Sequence, residues 1–364
     1  MKTYKKLYEK LCSWKNLEEA YTKARKHKSH NRAVLEFEKN KNENLNKIMT
    51  KLRDKNYSPI HLKRFVLRDP KTRIICVSDF SDRIIHHALV NVLQPIFEPR
   101  FIHDSYASQK GKGTHSALKR FELFVRQLTK NGTQTSYDKH HSIEGFVLKA
   151  DIKQYFNNVN HELLLSIISE KIKDSDVLRL CRIILQNYQL TTFGKGMPLG
   201  NWTSQFFANI YLNKLDQFVK HKLQAKYYIR YVDDFIILHS SKPQLEKWQK
   251  QVGNFLQKEL KLELHPQKSK VTPLSRGIDF LGFKCFHNHK ILRKRNVRKR
   301  LRKLEEQKNE YNQKLIDASD IFTSLQGWNA YAIHANTYNL RRTIMNKVLD
   351  AIKKPIQDSL PEKY

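Results

Sequence analysis

Tyr227-Tyr228-Ile229-Arg230-Tyr231-Val232-Asp233-Asp234-Phe235-Ile236-Ile237-Leu238 sets two adjacent carboxylates between two runs of strand-forming residues. Asp is a poor strand former, and neighbouring carboxylates repel one another. A tight hairpin turn accounts for them structurally, because Asp suits turns. A divalent cation accounts for them chemically, by neutralising the repulsion. A second apolar strand, Gly145-Phe146-Val147-Leu148-Lys149-Ala150, runs into Asp151. Two strands presenting three carboxylates can hold a pair of Mg²⁺ ions through hard oxygen ligands, leaving coordination sites for substrate phosphates. One metal then lowers the pKa of an attacking hydroxyl and the other steadies a leaving pyrophosphate.

Outward from this centre, Phe65-Val66-Leu67 and Ile74-Ile75-Cys76-Val77 flank a basic tip, Arg68 to Arg73, and read as a hairpin. Residues 1–56 read as basic helix, with Leu7, Leu11, Trp14, Leu17 and Tyr21 at helical spacing. Helices are expected around 82–89, from Asn160 to Glu170, from about Asn201, from Gln244 to Lys258, and beyond Asn296. Residues 130–145 read as a polar surface loop. Gly277 to Phe283 reads as one strand. Trp328, Tyr331, Tyr338 and Leu340 read as core of the C-terminal helices.

The chain has 364 residues, 40% of them hydrophobic, which suffices for a large core. Lys and Arg total 68 against 35 Asp and Glu, a formal charge of +33. Such a surplus points to a polyanionic partner, nucleic acid before membrane. No apolar run is long enough to span a bilayer, and no leader pattern opens the chain. Cys12, Cys76, Cys181 and Cys285 are far apart and read as reduced, apolar thiols, which suits a cytoplasmic setting. His86/His87 and His140/His141 are adjacent pairs whose side chains diverge, so neither reads as a metal site.

Lys149-Ala150-Asp151-Ile152-Lys153-Gln154-Tyr155-Phe156, Gly196-Met197-Pro198-Leu199-Gly200-Asn201-Trp202-Thr203-Ser204-Gln205 and Tyr231-Val232-Asp233-Asp234 resemble, in order, the three palm motifs of reverse transcriptases. Leu262 to Ser269 resembles the following Lys-bearing motif, and Phe280-Leu281-Gly282-Phe283 the primer grip. Together the matches cover roughly residues 60–345. Leu199-Gly200 with Ser204-Gln205 most resembles the branch found in diversity-generating retroelements of bacteria and phages. Retron, abortive-infection and group II intron enzymes are the related alternatives. A non-catalytic RNA-binding relative is the alternative of another class; such relatives commonly lose a metal carboxylate, and all three are present here.

The resemblance implies an α+β right-hand polymerase fold of fingers, palm and helical thumb. It implies a basic helical extension at 1–59, fingers and palm at 60–286 and the thumb at 287–364. It implies an RNA-directed DNA polymerase with Asp151, Asp233 and Asp234 catalytic, and Asp151, Ile152, Asp233 and Asp234 as the metal positions for two Mg²⁺ ions, Mn²⁺ being the alternative. Lys71, Arg73, Phe156, Leu199, Gly200, Gln205 and Lys268 match nucleotide-binding positions. Phe156 matches the ring that excludes a 2′-hydroxyl, Arg73 with Lys71 the fingers cation on the triphosphate, and Lys268 the lysine that protonates pyrophosphate. Phe280, Leu281 and Gly282 match the primer grip. Between Lys290 and Lys308 stand ten Lys or Arg; of these, Arg293, Lys294, Arg295, Arg298 and Arg302 are expected on nucleic-acid phosphates. The implied partners are dNTPs, a template RNA, its RNA/DNA duplex and a small helical accessory oligomer, with no membrane. The implied reaction is cDNA synthesis that is error-prone at template adenines.

Overall fold

The computed structural model describes residues 2–68, 72–132, 145–188 and 192–357. Lys71, the pair His140/His141 and most of the expected polar loop lie outside the described residues. The chain divides into two compact units.

The first unit comprises Met1–Ala117, Leu148–Leu238 and Pro243–Val271. It opens with four helices, α1 (Tyr8–Leu11), α2 (Trp14–Arg25), α3 (Arg32–Lys39) and α4 (Lys41–Arg53). Ser13 and Asn31 cap α2 and α3 by accepting from backbone N–H groups of the first turn. The expected hairpin follows as β1 (Lys63–Leu67) and β2 (Arg73–Val77), antiparallel with Leu67 opposite Arg73. Towards its tip its apolar residues are open to water: Phe65 is 51% exposed, Val66 53% and Ile74 49%.

The long helix α5 (Phe80–Phe97) is apolar on most of its circumference and is therefore central. It packs against α2 and against α10 (Trp202–Gln217), itself buried from Phe206 to Leu212. Between them in sequence come β3 (Ser105–Tyr106), α6 (Thr114–Leu128), β4 (Phe146–Asp151), α7 (Tyr155–Asn158), α8 (His161–Ser169) and α9 (Ser175–Gln186). Asn160 caps α8, and Asp174 caps α9. After α10 come β5 (Tyr227–Tyr231), β6 (Asp234–His239), α11 (Lys242–Leu260) and β7 (Lys270–Pro273). One sheet has the order β3-β5-β6-β4-β7, which makes β6 and β4 neighbours. That adjacency brings the strand ending in Asp151 beside the strand beginning with Asp234.

The second unit comprises Leu118–Val147, His239–Lys242 and Thr272–Tyr364. The run expected as one strand is instead a hairpin, β8 (Ile278–Phe280) and β9 (Phe283–Cys285), to which β10 (Lys290–Leu292) adds. Leu281 and Gly282 form its two-residue turn at φ 45° and 95°, a left-handed pair that matches the twist of the flanking strands. Three helices follow, α12 (Lys294–Asn312), α13 (Ala318–Ala332) and α14 (Tyr338–Gln357). Leu304, Ile321, Leu325, Ile344 and Val348 form their core, with Trp328 and Leu340 packed against it. Tyr338 departs from its expected place and is 67% exposed, because it opens α14 on the water side. The four cysteines are buried and unpaired.

Candidate active site

Asp151 ends β4 and is 8% exposed. Two residues of the segment after α11 fix its backbone. His265 N–H donates to the Asp151 carbonyl at 2.7 Å, and the Ser269 hydroxyl lies 3.4 Å from both the Asp151 amide and its carbonyl oxygen. The segment that follows α11 is thus stitched to the end of β4, and it carries Lys268 with it. Lys268 Nζ forms an ion pair with Asp151 Oδ2. Ile152, buried beside Asp151, bridges to Leu264 of the same segment.

The turn bearing the other two carboxylates is as tight as expected but lies one residue earlier than the sequence suggested. Tyr231 pairs with Asp234, so only Val232 and Asp233 lie between the strands, and Asp234 is the first residue of β6. Val232 sits at φ 56°. A β-branched residue is seldom found there, and the conformation costs of order 1–3 kcal/mol. Burial, and after it the negative charges of Asp234 and Asp151, push the Asp233 carboxyl up to about 6, with Lys268 opposing them. The three expected carboxylates and the expected lysine therefore share one electrostatic neighbourhood.

Arg230 holds this turn from beneath, and it did not stand out in the sequence. It is fully buried, as is Asp216 of α10. Its guanidinium donates to both Asp216 oxygens at 2.7 Å, to Asn209 Oδ1 at 3.0 Å, to Ser105 Oγ at 2.9 Å and to the Val232 carbonyl at 3.0 Å. The Tyr228 hydroxyl donates to Asp216 as well, at 2.8 Å. Burial works against the guanidinium charge, and Asp216 more than offsets it, holding the group above its ordinary range. An arginine inside an otherwise apolar strand was the available signal.

Phe156, half-buried on α7, lies edge-on to Tyr155 with ring centroids 5.4 Å apart. Its carbonyl accepts from Met197 N–H at 2.7 Å, and this joins the first expected motif to the second. The Leu199 carbonyl accepts from Cys76 N–H at 3.0 Å, joining the second motif to β2, whose first residue is the exposed Arg73. Gly200 has φ 116°, and a Cβ there would stand 3.1 Å from the Cys76 carbonyl oxygen, so the approach of the two backbones needs glycine. Gln205 is exposed and accepts from the Ser108 hydroxyl at 3.0 Å.

The expected primer grip belongs to the second unit. Phe280 is buried against Phe121, with centroids 5.7 Å apart. The Gly282 carbonyl accepts from Asn296 Nδ2 at 3.2 Å and from the Tyr331 hydroxyl at 3.0 Å. Lys294, Arg295, Arg298 and Arg302 are exposed along α12. Arg293 differs, being half-buried at the helix start with Asp279 3.6 Å away.

Among the described residues, no three His, Cys, Asp or Glu side chains are gathered into a metal-holding group, and a lysine is the cation on Asp151. The donor chemistry still suits a hard divalent ion. Carboxylate oxygens are its preferred ligands, and the mutual repulsion that adds to burial in lifting Asp233 is what such an ion relieves.

The family described as reverse transcriptase (RNA-dependent DNA polymerase) matches residues 66–285, more than half of the chain. The chain belongs to the reverse transcriptase family. This reverse transcriptase is 25% identical over 279 residues to Protein YkfC of Escherichia coli (strain K12), covering 66% of this chain and 69% of that one. It is 25% identical over 311 residues to the group II intron-encoded protein LtrA of Lactococcus lactis subsp. cremoris, covering 66% of this chain and 49% of LtrA. Among solved structures, telomerase from Candida albicans in complex with a fragment of telomeric RNA has a TM-score of 0.47 at 12% identity, over 66% of this chain and 47% of that one. The reverse transcriptase thus spans about half the length of LtrA. Its family makes it an RNA-directed DNA polymerase of right-hand fold, in a class of enzymes that use divalent metal ions. Among the described residues, no helix is long and apolar enough to cross a membrane.

Proposed function

We propose that this reverse transcriptase makes cDNA on a dedicated template RNA by two-metal nucleotidyl transfer, with Mg²⁺ at Asp151, Ile152, Asp233 and Asp234. The observation that carries this reading is the shared neighbourhood of Asp151, Asp233, Asp234 and Lys268 in the first unit. Bound divalent ions supply charge neutralisation at the triphosphate and lower the pKa of the primer 3′-hydroxyl. The chain's own residues do the rest. Arg73, with Lys71, grips the triphosphate; Phe156 closes the space a 2′-hydroxyl needs; Lys268 leaves Asp151 and gives a proton to the departing pyrophosphate. Residues 1–59 form a basic extension, 60–286 the fingers and palm, and 287–364 the thumb, whose α12 lies on duplex phosphates. Asp233→Asn is expected to abolish primer extension on an RNA template with dNTPs and Mg²⁺, while leaving RNA binding within about twofold, since binding rests on the basic surface. Near-normal extension by this variant would refute the site.

The finer reading is that of a diversity-generating retroelement enzyme, error-prone at template adenines and assembled with a small helical accessory oligomer. Its support is Leu199, half-buried and held by its backbone to β2, in place of the polar side chain many relatives carry there. An apolar side chain offers contact area but no hydrogen bond, so a mismatch leaves fewer polar groups unpaired. Leu199→Gln is expected to lower misincorporation opposite adenine more than opposite the other bases, read by sequencing cDNA from a defined template. If the wild type copies adenine as faithfully as guanine even with its cognate RNA and accessory protein present, the enzyme belongs to a retron, abortive-infection or group II intron branch.

A further inference from the structure

Residues 194–200, which carry Leu199 and Gly200, contain three glycines in the left-handed half of backbone space, Gly194 at φ 76°, Gly196 at 90° and Gly200 at 116°. Glycine reaches conformations that other residues avoid, so each of these peptides needs an outside contact to fix it. At Gly200 that contact is β2, through the bond from Cys76 N–H to the Leu199 carbonyl. Pro198 adds stiffness by keeping the residue before it out of the helical region. The remaining freedom lies at Gly194 and Gly196.

One residue of α8 supplies contacts to both. Asn160 caps this helix by accepting from Leu163 N–H at 2.9 Å and pairs with Lys195 in an antiparallel bridge, which sets His161 against the loop. His161 N–H donates to the Gly194 carbonyl at 2.9 Å. Gly196 N–H is held by the Val159 carbonyl at 2.8 Å, and the His161 ring takes the other side of that residue, with Nε2 2.6 Å from the Gly196 carbonyl oxygen. A carbonyl only accepts, so Nε2 carries the hydrogen. The ring is 4% exposed, and among the described residues its Nδ1 has no hydrogen-bond partner. Burial, with Arg182 acting in the same direction, lowers the imidazole's affinity for a second proton more than the Gly196 bond and Glu162 raise it. His161 is therefore a neutral ring with one nitrogen engaged and one unpaired. An unpaired buried nitrogen costs free energy that a leucine in its place would not. The hydrogen bond to Gly196, and not packing, accounts for a histidine here.

We propose that His161 is a positioning residue for the nascent base pair: its Nε2–H fixes the Gly196 peptide, and with it the place where Leu199 and Gly200 meet the incoming nucleotide. It touches neither substrate nor metal, and the proposal rests on the reading of Leu199 as nucleotide-contacting. Without the bond the Gly196 carbonyl can turn away. Only a fraction of the enzyme then stands ready, and the apparent affinity for dNTP falls by that fraction.

The test is single-nucleotide extension on an RNA template by wild type, His161→Gln, His161→Asn and His161→Leu. The glutamine amide reaches the place of Nε2; the asparagine amide, one methylene shorter, does not; leucine has no donor. His161→Asn and His161→Leu are expected to raise KM for the correct dNTP roughly tenfold, the worth of one hydrogen bond, with kcat within about threefold and misincorporation increased. His161→Gln is expected to keep KM within about threefold of wild type. Melting temperatures are read alongside, so that a KM difference between the two amide variants at matched stability excludes a loss of fold. Combining Leu199→Ala with His161→Leu should do no more than the larger single change, because both act on one contact. Equal KM in His161→Gln and His161→Asn, or a loss confined to kcat, overturns the proposal. If Leu199→Ala shifts KM while the His161 variants do not, the proposal fails and the reading of Leu199 stands. If Leu199→Ala shifts neither KM nor misincorporation, that reading falls and the proposal with it.

Discussion

Arg230 shows how a single buried residue couples fold to chemistry. Its two strongest bonds go to Asp216, and a weaker one goes to the Val232 carbonyl at the strained turn. Removing one partner of a buried ion pair strands the other charge and costs about 3–5 kcal/mol, whereas replacing both by apolar residues can be neutral. Arg230→Met is therefore expected to lose about that much stability in urea unfolding, and Arg230→Met/Asp216→Leu to regain most of it. Primer extension should stay low in the double variant, because nothing then holds Val232 in its left-handed conformation. If activity returns with stability, Arg230 serves the core alone. The carboxylates themselves were legible in the sequence, since two adjacent Asp between apolar strands contradict local propensity. Arg230 was not read, because a charge in a strand says only that it needs a partner, and Asp216 lies on a helix whose packing the sequence does not display.

At the scale of elements, helices with strong caps and apolar spacing were readable to within a few residues, as α8 and α11 show. The β8–β9 hairpin was not. Ile278-Asp279-Phe280 and Phe283-Lys284-Cys285 each alternate apolar and polar residues, and Leu281 between them is no turn former, so the reversal is set by tertiary contact. Asn296 of α12 and Tyr331 of α13 both donate to the Gly282 carbonyl, fastening the turn to two helices. A Cβ on Gly282 would stand 2.8 Å from the Tyr331 hydroxyl, at φ +95°. Gly282→Ala is expected to destabilise the second unit by about 1–3 kcal/mol. Calorimetry reads this as a lowered melting temperature, and Gly282→Ala/Tyr331→Phe, which removes the clashing hydroxyl, should recover part of the loss. No recovery would place the whole cost in the backbone.

For the molecule as a whole, the charge of +33 sets how binding responds to salt. Each phosphate that the protein no longer neutralises should reduce the slope of log affinity against log salt by about one. Replacing Arg295, Arg298 and Arg302 by Gln is expected to lower the slope on an RNA–DNA duplex by up to about three, less if the Arg302 pairing with Glu306 at 3.3 Å competes. An unchanged slope would remove α12 from the duplex. The same charge governs the protein when no nucleic acid is present. The β1–β2 ribbon offers Phe65, Val66, Leu67 and Ile74 to water on a two-stranded sheet, an open template for a strand from another copy. Lys63, Arg64, Arg68 and Arg73 punctuate that ribbon as gatekeepers against self-association. At about 1 M salt the reach of their repulsion shrinks to about 3 Å while apolar attraction persists. Conditions that strip bound nucleic acid from this enzyme therefore also remove its colloidal protection, and the ribbon is where precipitation should begin.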